Sequence, residues 1–419
     1  MSGTRRHAPG VVQIGVAIGL ASAAGYVLLA LVGRNLTPAE FGLFVAFWGV
    51  LFGIGSSLST IEQESARRTA VGDGDEPPTM SAVVAASAAL AVVVASLTLI
   101  PAVADRLYGG AGASVGVAVV VAAAGFAVQF ALRGSLIGSA ATRRYSGLVV
   151  AEAVARLVVL LAVVVTLGLD LTSAAWVVAV GSFAWLLWFR DTRALWAVPR
   201  RREWPAAQRR ASSLMVGAGL NAVVITGYPS LVTALTGGPL GHEGGAVFAA
   251  LTVSRIPLLL VSPVQALAVP MIVSWRDGAG AASAARLRRA LLLLVGGAAA
   301  VGLLGALAGW FLGPWAITLV YGSQYVVEPA VIATLIFSAC LLAGVLLMSA
   351  TLLALSAHLR MVLMWLVAAV ATIVWLAVSP LSIAAATAVG ALVGPLAAMA
   401  YGLPAIWSAV RAPSSATAA

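Results

Sequence analysis

The chain has 419 residues, of which 62% are hydrophobic and only 9% charged, with a net charge of +10 and a mean hydropathy of +1.05. Soluble domains carry about 25% charged residues, so a water-facing surface cannot be assembled from this composition. The positive charge does not point to nucleic acid, because the basic residues fall between apolar runs instead of gathering on one face.

Windows of about 19 residues place twelve apolar segments at 11–32, 41–60, 80–101, 114–132, 147–168, 173–189, 211–235, 246–270, 290–312, 329–355, 361–378 and 381–401. Runs near 20 residues that must hide their own amides from hydrocarbon are helical, so the expected class is an all-α integral membrane protein with twelve transmembrane helices. The first run follows a short basic stretch, exceeds a signal-peptide core and lacks a cleavage pattern, so it reads as a span. All 24 basic residues are arginine. Twenty of them occupy alternate connections, and the intervening connections hold only Arg34 and Arg106. Basic loops resist translocation, so the spans are expected to place both termini in the cytoplasm of a bacterial plasma membrane.

The largest basic connection, 190–210, carries or adjoins Trp185, Trp188, Trp196 and Trp204 and reads as an amphipathic strap at the headgroup layer. It divides the chain into a six-helix bundle at 1–189 and another at 211–401, with a tail at 402–419. Cys340 is the single cysteine, and His7, His242 and His358 are scattered, so neither a disulfide nor a metal cluster is expected, and no cofactor is implied. No nucleophile–base pair or phosphate loop is present. The sequence Gly217-Ala218-Gly219-Leu220-Asn221-Ala222 fits a dinucleotide fingerprint only by pattern, because it lies inside an apolar run with no strand before it. Pairs such as Gly15 and Gly19, Gly49 and Gly53, and Gly305 and Gly309 read as helix-packing positions.

Pieces of the first half recur in the second. Leu107-Tyr108-Gly109 is echoed by Val320-Tyr321-Gly322, Glu40-Phe41-Gly42 by Glu243-Gly244-Gly245, and Ser139-Ala140 through Arg143 by Ser356-Ala357 through Arg360. Matches at equivalent topological positions indicate two parallel six-helix repeats, since an even number of spans restores orientation.

The stretch Gly33-Arg34-Asn35-Leu36-Thr37-Pro38-Ala39-Glu40-Phe41-Gly42 resembles the junction of the first two spans in polysaccharide flippases of the multidrug/oligosaccharidyl-lipid/polysaccharide (MOP) exporter superfamily. Gly245 to Ala250 with Arg255 and Pro270, Tyr321 to Tyr325, and Leu352 to Arg360 resemble later landmarks of that family in the same order. The resemblance implies two bundles in a V-shaped, MATE-like fold, with alternating access for an undecaprenyl-diphosphate-linked saccharide. Membrane lipids and polysaccharide assembly enzymes are the implied partners. Glu62-Gln63-Glu64 is more acidic than the general family pattern, which points to a subgroup.

A diphosphate crossing hydrocarbon needs fixed cations in place of water. Arg255 and Arg156 lie deep in expected spans, each roughly 14 Å from a face at about 1.5 Å per residue, and are candidate substrate-binding residues. Glu152 precedes Arg156 by one helical turn, so the pair can also neutralise itself inside the bundle. Pro257 and Pro263 are expected to break the helix around Arg255. Asn221 is a candidate for sugar hydroxyls, as are Gln13, Gln129 and Gln265, although amides also serve as interhelical glue. Arg34 is a candidate outer anion contact or interfacial anchor, and Glu62, Glu64 and Arg67 are candidate gate or coupling residues. The alternatives are a cation-coupled multidrug exporter of the same superfamily, a membrane polysaccharide polymerase, and an assembly scaffold.

Overall fold

The computed structural model describes residues 8–71, 79–196, 201–236, 241–260 and 281–411, and their regular structure is all helical. The helices are α1 (Ala8–Asn35), α2 (Pro38–Val71), α3 (Met80–Ser96), α4 (Pro101–Tyr108), α5 (Gly112–Gly138), α6 (Thr142–Thr166) and α7 (Leu171–Gly181). They continue with α8 (Trp204–Ile225), α9 (Tyr228–Leu235), α10 (Gly241–Ser254), α11 (Ala281–Tyr321), α12 (Pro329–Ala354), α13 (His358–Val378) and α14 (Ile383–Arg411). Among the described residues ten helical segments are long and apolar enough to cross a membrane, or eleven if α8 and α9 form one bent span. The expected span at 246–270 is described only as far as Leu260, so Pro263, Gln265 and Pro270 lie outside the described residues. Large apolar side chains stand exposed along the outer helices, with Val12, Val16 and Leu20 of α1 more than half uncovered. In water such a surface would aggregate; in hydrocarbon it is the ordinary exterior.

The chain forms two compact units, Met1–Gly241 and His242–Ala419. In the first, α2 and α5 make the central pair. Phe41, Phe44, Phe47, Leu51 and Leu58 of α2 are fully buried. At Gly134 any Cβ would collide with the Glu62 carbonyl, and at Gly138 it would stand 2.5 Å from the Ala66 carbonyl oxygen. The two backbones therefore touch, and Ser65 Oγ donates across the seam to the Ala131 carbonyl at 2.9 Å. This glycine pair was not among the packing pairs expected from the sequence. Of those, Gly305 and Gly309 do meet Ile336 and Gly49 meets Ser230, whereas Gly15, Gly19 and Gly53 have nothing within 4 Å among the described residues.

Several boundaries differ from the hydropathy reading for local reasons. Glu40 accepts from the Thr37 amide at 3.0 Å and the Glu40 amide donates to Thr37 Oγ1 at 3.3 Å, a capping box with Pro38 at the first helical position. The motif that carried the family resemblance is thus a helix start. Pro101 likewise opens the short α4, which occupies what hydropathy left as a loop. The expected span at 211–235 starts earlier, at Trp204, and is broken by a 70° bend between α8 and α9. Pro229, in the first turn after the break, lacks the amide that a continuous helix would need. Trp185, expected at the headgroup layer, is instead buried with Leu132, Tyr145 and Leu148. Asp170 caps α7, accepting from the Ser173 amide at 2.8 Å, and these bonds hold its carboxyl below the usual carboxylate range.

In the second unit α12 packs against both α11 and α14. Gly302 and Gly313 of α11 face Phe337 and Ile332 of α12. The Ala384 amide in the first turn of α14 donates to Glu243 at 3.1 Å, a carboxylate meeting the positive end of a helix.

The two units repeat local geometry. Tyr108 and Tyr321 are both buried, and each is followed by a glycine with positive φ, +60° at Gly109 and +108° at Gly322. Ala140 and Ser356 both adopt φ near +60°, an unusual choice for residues with a side chain. The following amides then bond back five residues, Ala141 to Leu136 at 2.8 Å and Ala357 to Leu352 at 2.9 Å. These caps align Ala140 with Ser356 and Arg144 with Arg360, one residue away from the register of the sequence echo.

Gly134→Leu is expected to lower the unfolding midpoint of the purified protein by the equivalent of about 1–3 kcal/mol or more. Gly19→Leu is expected to leave it unchanged, and equal midpoints for the two variants would contradict the α2–α5 contact.

Candidate functional site

One cluster of buried charged residues in the first unit gathers around Glu152 on α6. Its Oε1 lies 2.6 Å from Arg156 Nη2, an ion contact that lacks the angle of a hydrogen bond. Oε2 accepts from Gln129 Nε2 at 2.7 Å and from Arg133 Nη2, both on α5. Arg156 Nε donates to the Val178 carbonyl of α7 at 3.2 Å. Its guanidinium also sits 5.3 Å from the centre of the Phe52 ring and 5.7 Å from that of Phe126. Arg133 lies 5.3 Å from the Phe130 ring centre. Gly181 makes room for this arrangement, because a side chain there would run into Arg156.

Glu62 of α2 completes the cluster. It accepts from the Tyr145 hydroxyl at 3.0 Å and feels the charges of Arg133 and Glu152. Two carboxylates and two guanidiniums thus balance one another where hydration is poor, which is the condition under which such groups are tolerated. Gln129 Oε1 and Arg133 Nε have no hydrogen-bond partner among the described residues.

A second cluster lies along the same α2 helix. Glu64 is buried and meets Arg67 Nε at 3.1 Å, Arg68 Nε at 2.9 Å and Arg210 Nη2 of α8 at 3.0 Å. The expected gate trio therefore divides. Glu62 belongs with Glu152 and Arg156, while Glu64 and Arg67 belong with Arg68 and Arg210.

Arg156 is paired as its spacing from Glu152 allowed. Arg255 occupies the point where α10 ends at Ser254 and the chain tightens into a 3-10 turn at Ile256–Leu260. It is half-buried. Asn221 is half-buried one turn before the α8–α9 break, and Arg34 is exposed in the last turn of α1. The residues that sequence reasoning missed are Arg68, Arg133, Tyr145 and Arg210. Arg133 was assigned to a loop because the apolar run stops at Leu132, although α5 continues for six residues to Gly138.

No family model matches the chain. Its fold is that of MATE family transporters of the MOP superfamily. An inward-facing member superposes with a TM-score of 0.66 over 97% of this chain and 100% of that one at 14% identity. An outward-facing member gives 0.57 over 96% of each at 15% identity, and a MOP superfamily transporter from Pyrococcus furiosus gives 0.56 over 96% and 95% at 13% identity. At the level of sequence the chain is 30% identical over 399 residues to the uncharacterized protein Rv3630 of Mycobacterium tuberculosis, covering 92% of this chain and 89% of the relative. It is 31% identical over 416 residues to Rv1510 of the same organism, covering 94% and 91%. The chain belongs to the family of these mycobacterial proteins.

Glu152→Ala is expected to cost about 3–5 kcal/mol by leaving two buried guanidiniums without their shared carboxylate. Thermal unfolding of the purified protein measures it, and a wild-type midpoint would show that the cluster is not buried as described.

Proposed function

We propose that the protein is an alternating-access transporter that moves a polyprenyl-diphosphate-linked oligosaccharide from the cytoplasmic to the outer leaflet of a bacterial plasma membrane. Both termini lie in the cytoplasm, as the one-sided distribution of arginines favours. The fold supports the transport part of this reading. The cargo part rests on Arg255, whose guanidinium is attached where regular helix gives way inside an apolar segment. Broken helices are where transporters of other folds hold charged cargo, because main-chain groups no longer bond within the helix. Arg156 is not assigned to the diphosphate, since Glu152 already balances it. Arg34, exposed at the end of α1, would meet the headgroup on the outer side.

Glu62 and Glu152 favour a second reading. Two carboxylates sharing arginines in one unit are suited to bind and release a coupling cation, as a multidrug exporter of this superfamily would require.

Translocation of a lipid-linked oligosaccharide in proteoliposomes tests the first reading. Losing one charge-assisted phosphate contact costs about 1.5–3 kcal/mol, so Arg255→Ala should slow translocation roughly ten- to hundredfold, with partial recovery in Arg255→Lys. A wild-type rate for Arg255→Ala removes the cargo assignment. Uptake of a lipophilic cation driven by an ion gradient, lost in Glu62→Gln, would favour the exporter.

A further inference from the structure

The first unit holds an open-sided space of about 480 Å³ lined by α2, α3, α8 and α9 and by Leu107 of α4. Its size falls in the ~300–1,000 Å³ range of small-molecule sites. It exists because the facing positions carry little or no side chain: Gly53 on α2, Ala91 on α3, and Gly219 and Ala222 on α8. A Cβ built at Gly53 meets nothing within 4 Å.

The wall chemistry restricts what can enter. Among the described residues its only side-chain hydroxyls or charged groups are the hydroxyls of Ser57 and Ser230. Ser57 Oγ already donates to the Gly53 carbonyl at 3.2 Å, and Ser230 Oγ to the Ala46 carbonyl at 2.7 Å. A buried water needs two to four polar partners, and the two serine oxygens, which can still accept, offer only the minimum. A saccharide or phosphate would fare worse. Its lining follows α2 for about 12 Å, from Gly49 to Ser57 at about 1.5 Å per residue. Val94 and Val216 on its lining are themselves about half exposed, so the described lining continues into exposed apolar surface.

We infer that this cavity is a binding site for one hydrocarbon chain of a membrane lipid, acyl or prenyl, which enters sideways from the bilayer while its polar head stays outside. The inference goes beyond the transport reading and holds whichever cargo is moved.

The test uses the full-length protein in nanodiscs containing either a phospholipid with a diazirine on its acyl chain or a polyprenyl phosphate with a diazirine on its prenyl chain. After illumination, peptide mass spectrometry locates the adducts. Adducts are expected on Met215, Leu90 or Leu231 with at least one probe, and the probe that labels identifies the chain. In Gly53→Leu they should fall about tenfold, the factor expected when two buried methylenes lose their place. Gly15→Leu, which also points into open space but lies on α1 outside the cavity, should leave them unchanged. Val216→Trp at the exposed rim is the second variant, and it should reduce labelling even if Gly53→Leu does not fold. Labelling of these residues by neither probe, or labelling undiminished in both cavity variants, overturns the site. A lipid-linked oligosaccharide translocation assay on the same samples separates that result from failure of the transport reading.

Discussion

A carboxylate at the position of Glu152 has too little water around it to hold its charge unaided, so neighbouring helices must supply what solvent cannot. Arg156 comes from the same helix, Arg133 and Gln129 from α5. Arg156 in turn reaches the main chain of α7, and Glu62 with Tyr145 ties in α2. The contact of α2 with α5 at Gly134 and Gly138 brings these groups within reach of one another. Ion pairing here acts less as a source of stability than as a demand that four helices keep one arrangement.

The internal repeat is preserved where chain direction changes rather than where side chains pack. Ala140 and Ser356 both take a backbone conformation that glycine would adopt more easily, and both are followed by the same back-bonded cap. Gly109 and Gly322 end their helices with positive φ after a buried tyrosine. Turn geometry tolerates few substitutions, whereas a helix face in hydrocarbon accepts many apolar ones. Corners therefore remain as the visible trace of the repeat.

Much of the fold was legible in the sequence because hydrocarbon imposes a simple rule on apolar runs. Helix positions could be read directly, and so could the pairing of Arg156 with Glu152, one turn apart. What escaped was set by tertiary contact. Hydropathy ends a span at Leu132, yet the helix goes on because Glu152 meets the charge of Arg133 and its guanidinium sits over the Phe130 ring. Trp185 resembled an interfacial anchor by composition, and only the packing of Leu132, Tyr145 and Leu148 places it inside. The α8–α9 break had a signal in Gly227 and Pro229 that a window average smoothed away. Arg255 could be located by sequence and its helix break anticipated from Pro257, while its binding partners depend on contacts that no pattern encodes.

Arg156 fills the volume that a side chain at residue 181 would need, and this ties the histories of two positions 25 residues apart. A lineage could acquire alanine at 181 only after shortening residue 156, and that shortening would in turn strand Glu152 unless the carboxylate were lost as well. Substitutions at these three places should therefore arrive together or not at all. Among distant relatives, glycine at 181 becomes a marker for whether the buried charges are still in place.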